Sequence, residues 1–301
     1  LDLVYLEDVA AAMGAAVKLL GIVSGLLPRL AYLLSCKQRD PQSPAVILLN
    51  SGVMHHVGTC RLSVTMARLM ATQAGLLTLR FDFSGIGDSP SSRSSDSLEQ
   101  LAVAEIREVM DYLQARYGIA RFVLCGLCSG AHNGFVAATR EPRVTGLIAY
   151  DFHCFPTWRS YLHFYGPKRR RWQTWKSFVQ RRFARTDGNE PREQTQQEIA
   201  DQRFFEQPLF SPRPAKAEIE AGLKALVGRG VDLLLVFTGD HSLDFTYSRQ
   251  FTDCFSRVDF RDLLQVEYYP QASHIFVEPL YRRKLLDLTA RWLQALPRAS
   301  D

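Results

Sequence analysis

Gly126-Leu127-Cys128-Ser129-Gly130 is the stretch on which the reading of this chain turns. An apolar run, Arg121-Phe122-Val123-Leu124-Cys125, precedes it, and Ala131 to Ala138 follows with helix-forming residues. A strand that turns sharply into a helix holds its central side chain proud of the sheet. Small residues on both sides let the backbone make that turn and pack closely. The central residue here is cysteine. The pentapeptide alone also fits a glycine-rich turn around a buried structural cysteine, so the flanking sequence has to decide.

Strand and helix patterns alternate outward from this point. Apolar runs at Ala45–Asn50, Leu76–Phe81, Val144–Tyr150, Val231–Thr238 and Leu264–Tyr269 read as strands. Helical patterns fall at Cys60–Gln73, after the Ser-rich loop 84–95, and from Pro279 to Leu296, with Asp96 and Glu99 as an N-terminal cap pair for the second. This alternation predicts an α/β fold, a mostly parallel sheet with helices on both faces. Residues 152–222 are too long for an ordinary connection and read as a helical cap. The domain plan is therefore an N-terminal helical segment over 1–40, a core of 44–151 and 223–297, and the cap between.

Composition bounds the rest. The chain has 301 residues, 47% hydrophobic, and a net charge of +5. That is enough for one large core. Phe152 to Thr186 holds no acid but carries Arg159, Lys168, Arg169, Arg170, Arg171, Lys176, Arg181, Arg182 and Arg185. Six cysteines lack metal or disulfide spacing, which points to reduced thiols and a cytoplasmic setting. Val9–Leu34 is apolar, but acids precede it, Lys18 sits within it, and glycines and Pro28 interrupt it. It reads as a helix packed on the core or a second copy, not as a signal peptide or a favoured membrane contact.

A nucleophilic Cys128 needs a base, an acid to orient that base, and donors for an oxyanion. At a helix start the dipole and unpaired N–H groups favour a thiolate. Ser129 would give one backbone donor. The loop Asn50-Ser51-Gly52-Val53-Met54-His55-His56 would give another from Val53, with Met54 second, while Met54 and His55 line a pocket. His274, after the last strand, is the expected base among seven histidines. The acid stays open between Asp240, Asp151 and Asp244, all in loops that follow strands.

These segments, with Arg80–Ser89, resemble the α/β-hydrolase superfamily over about residues 44–297. Leu49-Asn50-Ser51-Gly52, Gly85-Ile86-Gly87-Asp88-Ser89 and the elbow are most similar to the exosortase A system-associated hydrolases, of the serine-aminopeptidase-like branch. The resemblance implies an eight-strand-type sheet with a cap after the sixth strand. The N-terminal helical reading and the irregular acid loop depart from it.

A cysteine nucleophile suggests acyl transfer or hydrolysis on a thioester, carried by an acyl carrier protein or coenzyme A, whose negative charge would suit the basic cap. Cap aromatics, Trp158 among them, would line an acyl pocket or bury the cap. An ester or lactone hydrolase uses the same residues, and a non-catalytic binding protein is the third reading. No cofactor, metal or nucleic acid is expected, and a homodimer is left open.

Overall fold

The computed structural model describes residues 15–23, 28–36, 42–87, 89–92, 94–169, 213–240 and 244–296. Eight strands form one sheet: β1 (Ala15–Val23), β2 (Pro28–Cys36), β3 (Ala45–Leu48), β4 (Thr78–Phe81), β5 (Phe122–Leu127), β6 (Val144–Tyr150), β7 (Asp232–Thr238) and β8 (Leu264–Tyr269). Their order is β1-β2-β4-β3-β5-β6-β7-β8. The segment from β4 to β8 is parallel, and β2 joins β4 antiparallel, as β1 joins β2.

The central strands read as unbroken apolar runs because helices cover both faces. Alternation still sorts their side chains. Ile47, Leu79, Leu124, Leu147 and Leu235 enter one core, and Val46, Val123, Cys125, Ile148 and Val236 the other. Helices α1 (Leu62–Gln73) and α7 (Pro279–Ala295) cover the second face. Helices α2 (Leu98–Tyr117), α3 (Ser129–Arg140) and α5 (Lys216–Gly228) cover the first. The short α4 (Trp158–Arg169) and α6 (Gln250–Cys254) complete the described helices.

Two expectations are corrected. The N-terminal segment was expected to be helical, but residues 15–23 and 28–36 form two antiparallel strands, and β2 pairs with β4, with Ala31 opposite Phe81. Without β2, β4 would be an edge strand with an unpaired backbone, and Pro28 is tolerated as a first strand residue. The cap box of α2 also lies one residue later. Ser97 Oγ accepts from the Gln100 N–H at 3.3 Å, and Gln100 Oε1 accepts from the Ser97 N–H at 3.0 Å. Asp96 instead accepts from Ser94 Oγ, and Glu99 is left to reach α3.

The chain runs outward from β3 to β4, then crosses back to place β5 on the other side of β3. Loops after β3 and β5 therefore diverge at the carboxyl edge of the sheet, where a crevice opens. Leu49 N–H donates to the Cys125 carbonyl at 2.8 Å, which seats the first loop against the elbow.

Candidate active site

Cys128 has φ 55° and ψ −116°, a backbone state that costs a non-glycine residue about 1–3 kcal/mol. Two bonds hold it there. Its N–H donates to the Tyr150 carbonyl at 2.9 Å, and its own carbonyl accepts from the His132 N–H at 3.1 Å. Gly126 and Gly130 permit the turn by close approach. A methyl group on Gly126 would collide with the Gly130 carbonyl group, and one on Gly130 with the Asn50 carbonyl. The neighbouring thiol is unlike Cys128: Cys125 is buried beside Tyr150, and burial pushes it up to about 12.

His274 reaches the elbow from the loop after β8. Its Nδ1 stands 2.7 Å from Asp151 Oδ2. Asp151 follows β6 with φ 47°, and its side chain is 0% exposed. The carboxylate also accepts from the Thr238 N–H and Thr238 Oγ, both at 2.7 Å. A carboxylate only accepts, so Nδ1 carries the hydrogen and Nε2 is the nitrogen left for Cys128. The ring is hydrogen-bonded to Cys128, and its pKa is raised from 6.5 to about 10. Asp151 is the largest cause and Cys128 the next, against the opposing effect of burial.

The three expected acids thus separate. Asp151 meets the ring. Asp240 accepts from the His274 backbone N–H at 2.7 Å, so it is not the ring's partner and holds the loop instead. Asp244 pairs with Arg213 at 3.2 Å. Asp151 and Asp240 end neighbouring parallel strands, which explains why both come near the same histidine.

The first loop is pinned from beneath. Buried Asp82 meets His56 Nδ1 at 2.6 Å and accepts from Asn50 Nδ2 at 2.9 Å. Gly52 N–H donates to Ser129 Oγ at 2.6 Å, and Met54 N–H to the Ser51 carbonyl at 3.0 Å. The N–H groups of Val53 and Ser129 have no acceptor among the described residues. Sequence reasoning missed Asn50, Asp82 and Thr238. The only signal for Thr238 was its place at the end of a predicted strand.

A cavity of about 730 Å³ opens over the elbow, within the usual range for small-molecule sites. Cys128, Asp151 and Val53 line it, with Phe83, Phe152 and Phe245 among its apolar walls. The expected pocket residues Met54, His55 and Trp158 are not in its wall. Met54 faces a smaller cavity behind the loop, His55 is exposed, and Trp158 is 68% exposed at the start of α4 with Arg159 over its ring. Aromatic content predicted a wall but could not orient it. The expected basic residues from Arg170 to Arg185 lie outside the described residues, as does most of the cap.

No family model matches the chain, and no curated protein matches it significantly. Solved structures do. An esterase of Pyrococcus furiosus superposes with TM-score 0.60 at 13% identity, over 94% of this chain and 91% of its own. The α/β hydrolase GrgF of a Penicillium species gives 0.55 at 16%, over 93% and 98%. The chain has the α/β-hydrolase fold. A dienelactone hydrolase of Anabaena variabilis, at 0.55 and 14%, covers 95% of this chain and 100% of its own. Within this α/β-hydrolase fold, the acid on the histidine stands one strand before the loop that carries Asp240 and Asp244. Among the described residues no cluster could hold a metal ion, and no helix is long and apolar enough to cross a membrane.

Proposed function

We propose that this protein transfers or hydrolyses acyl groups through an acyl-Cys128 intermediate, with thioesters as the favoured donors. The observation that carries the reading is the chain Cys128–His274–Asp151, set on a strained elbow that faces a cavity. Asp240 is a positioning residue in this reading.

The steps follow from the geometry. His274 Nε2 takes the Cys128 thiol proton, the sulfur attacks the carbonyl carbon, and the carbonyl electron pair moves to oxygen. Val53 and Ser129 N–H groups, which have no acceptor among the described residues, stabilise that oxyanion; one such donor is typically worth about 3 kcal/mol. The tetrahedral species collapses, the bond to the leaving thiolate or alkoxide breaks, and His274 Nε2–H supplies its proton. A raised pKa suits His274 to this acid role. Once Cys128 is acylated, its own contribution to raising that pKa disappears. The ring, left neutral once its proton has gone with the leaving group, then takes the proton of an incoming water or acceptor thiol, whose attack releases the acyl product and restores the Cys128–His274 pair.

Thioesters are favoured because sulfur-to-sulfur exchange is nearly balanced, whereas an oxygen ester must climb to a thioester. The ester- or lactone-hydrolase reading keeps every residue, and the fold likeness to the protein named a dienelactone hydrolase favours it. A carrier protein or coenzyme A as donor rests on the acid-free stretch Phe152–Thr186. Kinship with the exosortase A system-associated hydrolases, and a reducing cytoplasmic setting for the thiol, belong to the same proposal.

The test compares butyryl-coenzyme A with p-nitrophenyl butyrate for the wild type and Cys128→Ala. The reading expects turnover of both, a higher kcat/KM on the thioester, and loss of at least about 10³-fold in the variant. Ester turnover alone would select the second reading. A variant equal to the wild type would leave a binding protein.

A further inference from the structure

Two further histidines share the cavity with Cys128, and the triad has no use for them. His132 lies on α3, four residues beyond Cys128, so about one helical turn or 6 Å from it. His153 lies two residues beyond Asp151. Both line the cavity wall. His153 Nε2 stands 3.2 Å from His132 Nδ1, and His132 Nε2 stands 3.2 Å from Glu99 Oε2. Arg140 holds the other Glu99 oxygen at 3.0 Å.

Hydrogen placement in this chain follows from its far end. Glu99, paired to a guanidinium, is an acceptor, so His132 carries hydrogen on Nε2. In the neutral ring its Nδ1 then accepts, and the hydrogen between the rings belongs to His153 Nε2. That leaves His153 Nδ1 as a lone-pair acceptor with no partner among the described residues. Burial, then His132, then Arg213, lowers the His153 pKa to about 4, which keeps this ring neutral near pH 7. His153 is half-buried in the cavity wall, so this acceptor is open to a donor from water or from a bound molecule.

We infer that Glu99, His132 and His153 form a specificity subsite that accepts a hydrogen bond from a hydroxyl on the acyl chain, at the carbon α or β to the scissile carbonyl. The inference rests on the acyl-Cys128 reading above. His132, one helical turn beyond Cys128, and His153, two residues beyond Asp151, bring the acceptor into the cavity that holds the sulfur carrying the acyl group. The acyl part stays attached through both steps while the leaving group departs, so a subsite built on α3 serves the acyl part. Leu98, Leu101, Ala102, Phe237 and Phe245 also line the cavity and would take the remaining carbons. The substrate class is a hydroxyacyl thioester or ester.

The test uses paired p-nitrophenyl esters, butyrate against 3-hydroxybutyrate and 2-hydroxybutyrate, each corrected for its spontaneous hydrolysis. The wild type should favour one hydroxy ester over butyrate by at least about tenfold in kcat/KM. His153→Phe should bring that ratio close to one, and His153→Gln, whose amide oxygen can accept, should keep part of it. Glu99→Gln, at the outer end of the chain, should lower the ratio without touching the cavity lining. A merely structural role for the histidines would lower both rates and leave the ratio in place. Equal turnover of all three esters by the wild type, or a preference that survives His153→Phe, overturns the subsite alone. No turnover of any ester or thioester overturns the acyl-transfer reading and the subsite with it.

Discussion

Replacing Asp151 by Asn should disable the site while keeping its shape. Asp151 Oδ1 accepts from the Thr238 N–H, and Oδ2 from Thr238 Oγ and His274 Nδ1. In the variant the amide oxygen stays on the Thr238 N–H, because an NH₂ there would meet another donor. The NH₂ then faces His274 Nδ1 and the Thr238 hydroxyl, which can rotate to accept. His274 Nδ1 must now accept, so its hydrogen moves to Nε2, and the neutral ring can no longer take a proton from Cys128 or from water. The wrong-tautomer effect in a comparable triad is about 10⁴ in rate, or about 5 kcal/mol at 1.36 kcal/mol per decade. Asp240→Asn weakens one exposed bond to the His274 N–H, worth about 1 kcal/mol and so about tenfold or less. The assay is kcat/KM on one activated ester and one thioester at pH 7, with circular dichroism to confirm that both variants fold. The expected gap between the two variants is at least about 100-fold. Equal losses, or a greater loss for Asp240→Asn, would refute the assignment of Asp151 and the tautomer argument with it.

Other expectations follow from the same contacts. His274 is raised above its unfolded value, so its stabilisation is fully present below pH 6.5 and is lost as pH rises through about 10. Urea melts of the wild type and Asp151→Asn should therefore differ more at pH 7 than at pH 10. Ser129→Ala removes the acceptor of the Gly52 N–H and should cost about 1 kcal/mol in stability, with a larger loss in kcat than in KM as the Val53 donor drifts. Gly130→Ala drives a methyl group into the Asn50 carbonyl and should destabilise by about 1–3 kcal/mol in urea melts. Alkylation should mark Cys128 well before Cys125, which is buried and whose pKa burial pushes up to about 12, as read by peptide mapping.

The elbow, the parallel strands and His274 were legible because each is written in local sequence. Apolar runs such as Phe122–Leu127 and a turn-prone loop after the last strand need no partner to be recognised. Which carboxylate meets the His274 ring was not legible. Asp151 and Asp240 follow β6 and β7, which pair in register with Tyr150 beside Val236, so both carboxylates arrive at one edge. Only the two Thr238 donors, which fix Asp151 under the ring, separate them. The loop after β3 was similar: Val53 and Met54 look alike in sequence until the Met54 N–H is found bonded to Ser51. Strands 15–23 and 28–36 were misread because Ala- and Leu-rich runs suit a helix locally, whereas the side of β4 that β2 pairs with is distant in sequence. Trp158 was placed in the pocket on residue type, which carries no direction.

The central claim is that Cys128 carries the acyl group. Brief incubation with p-nitrophenyl butyrate or butyryl-coenzyme A, acid quench and peptide mass mapping tests it directly. The account predicts a butyryl adduct on the peptide holding Cys128, longer-lived in Asp151→Asn relative to its rate of formation, and absent in Cys128→Ala. Turnover by the wild type with no adduct on Cys128, and the same turnover by Cys128→Ala, would contradict it.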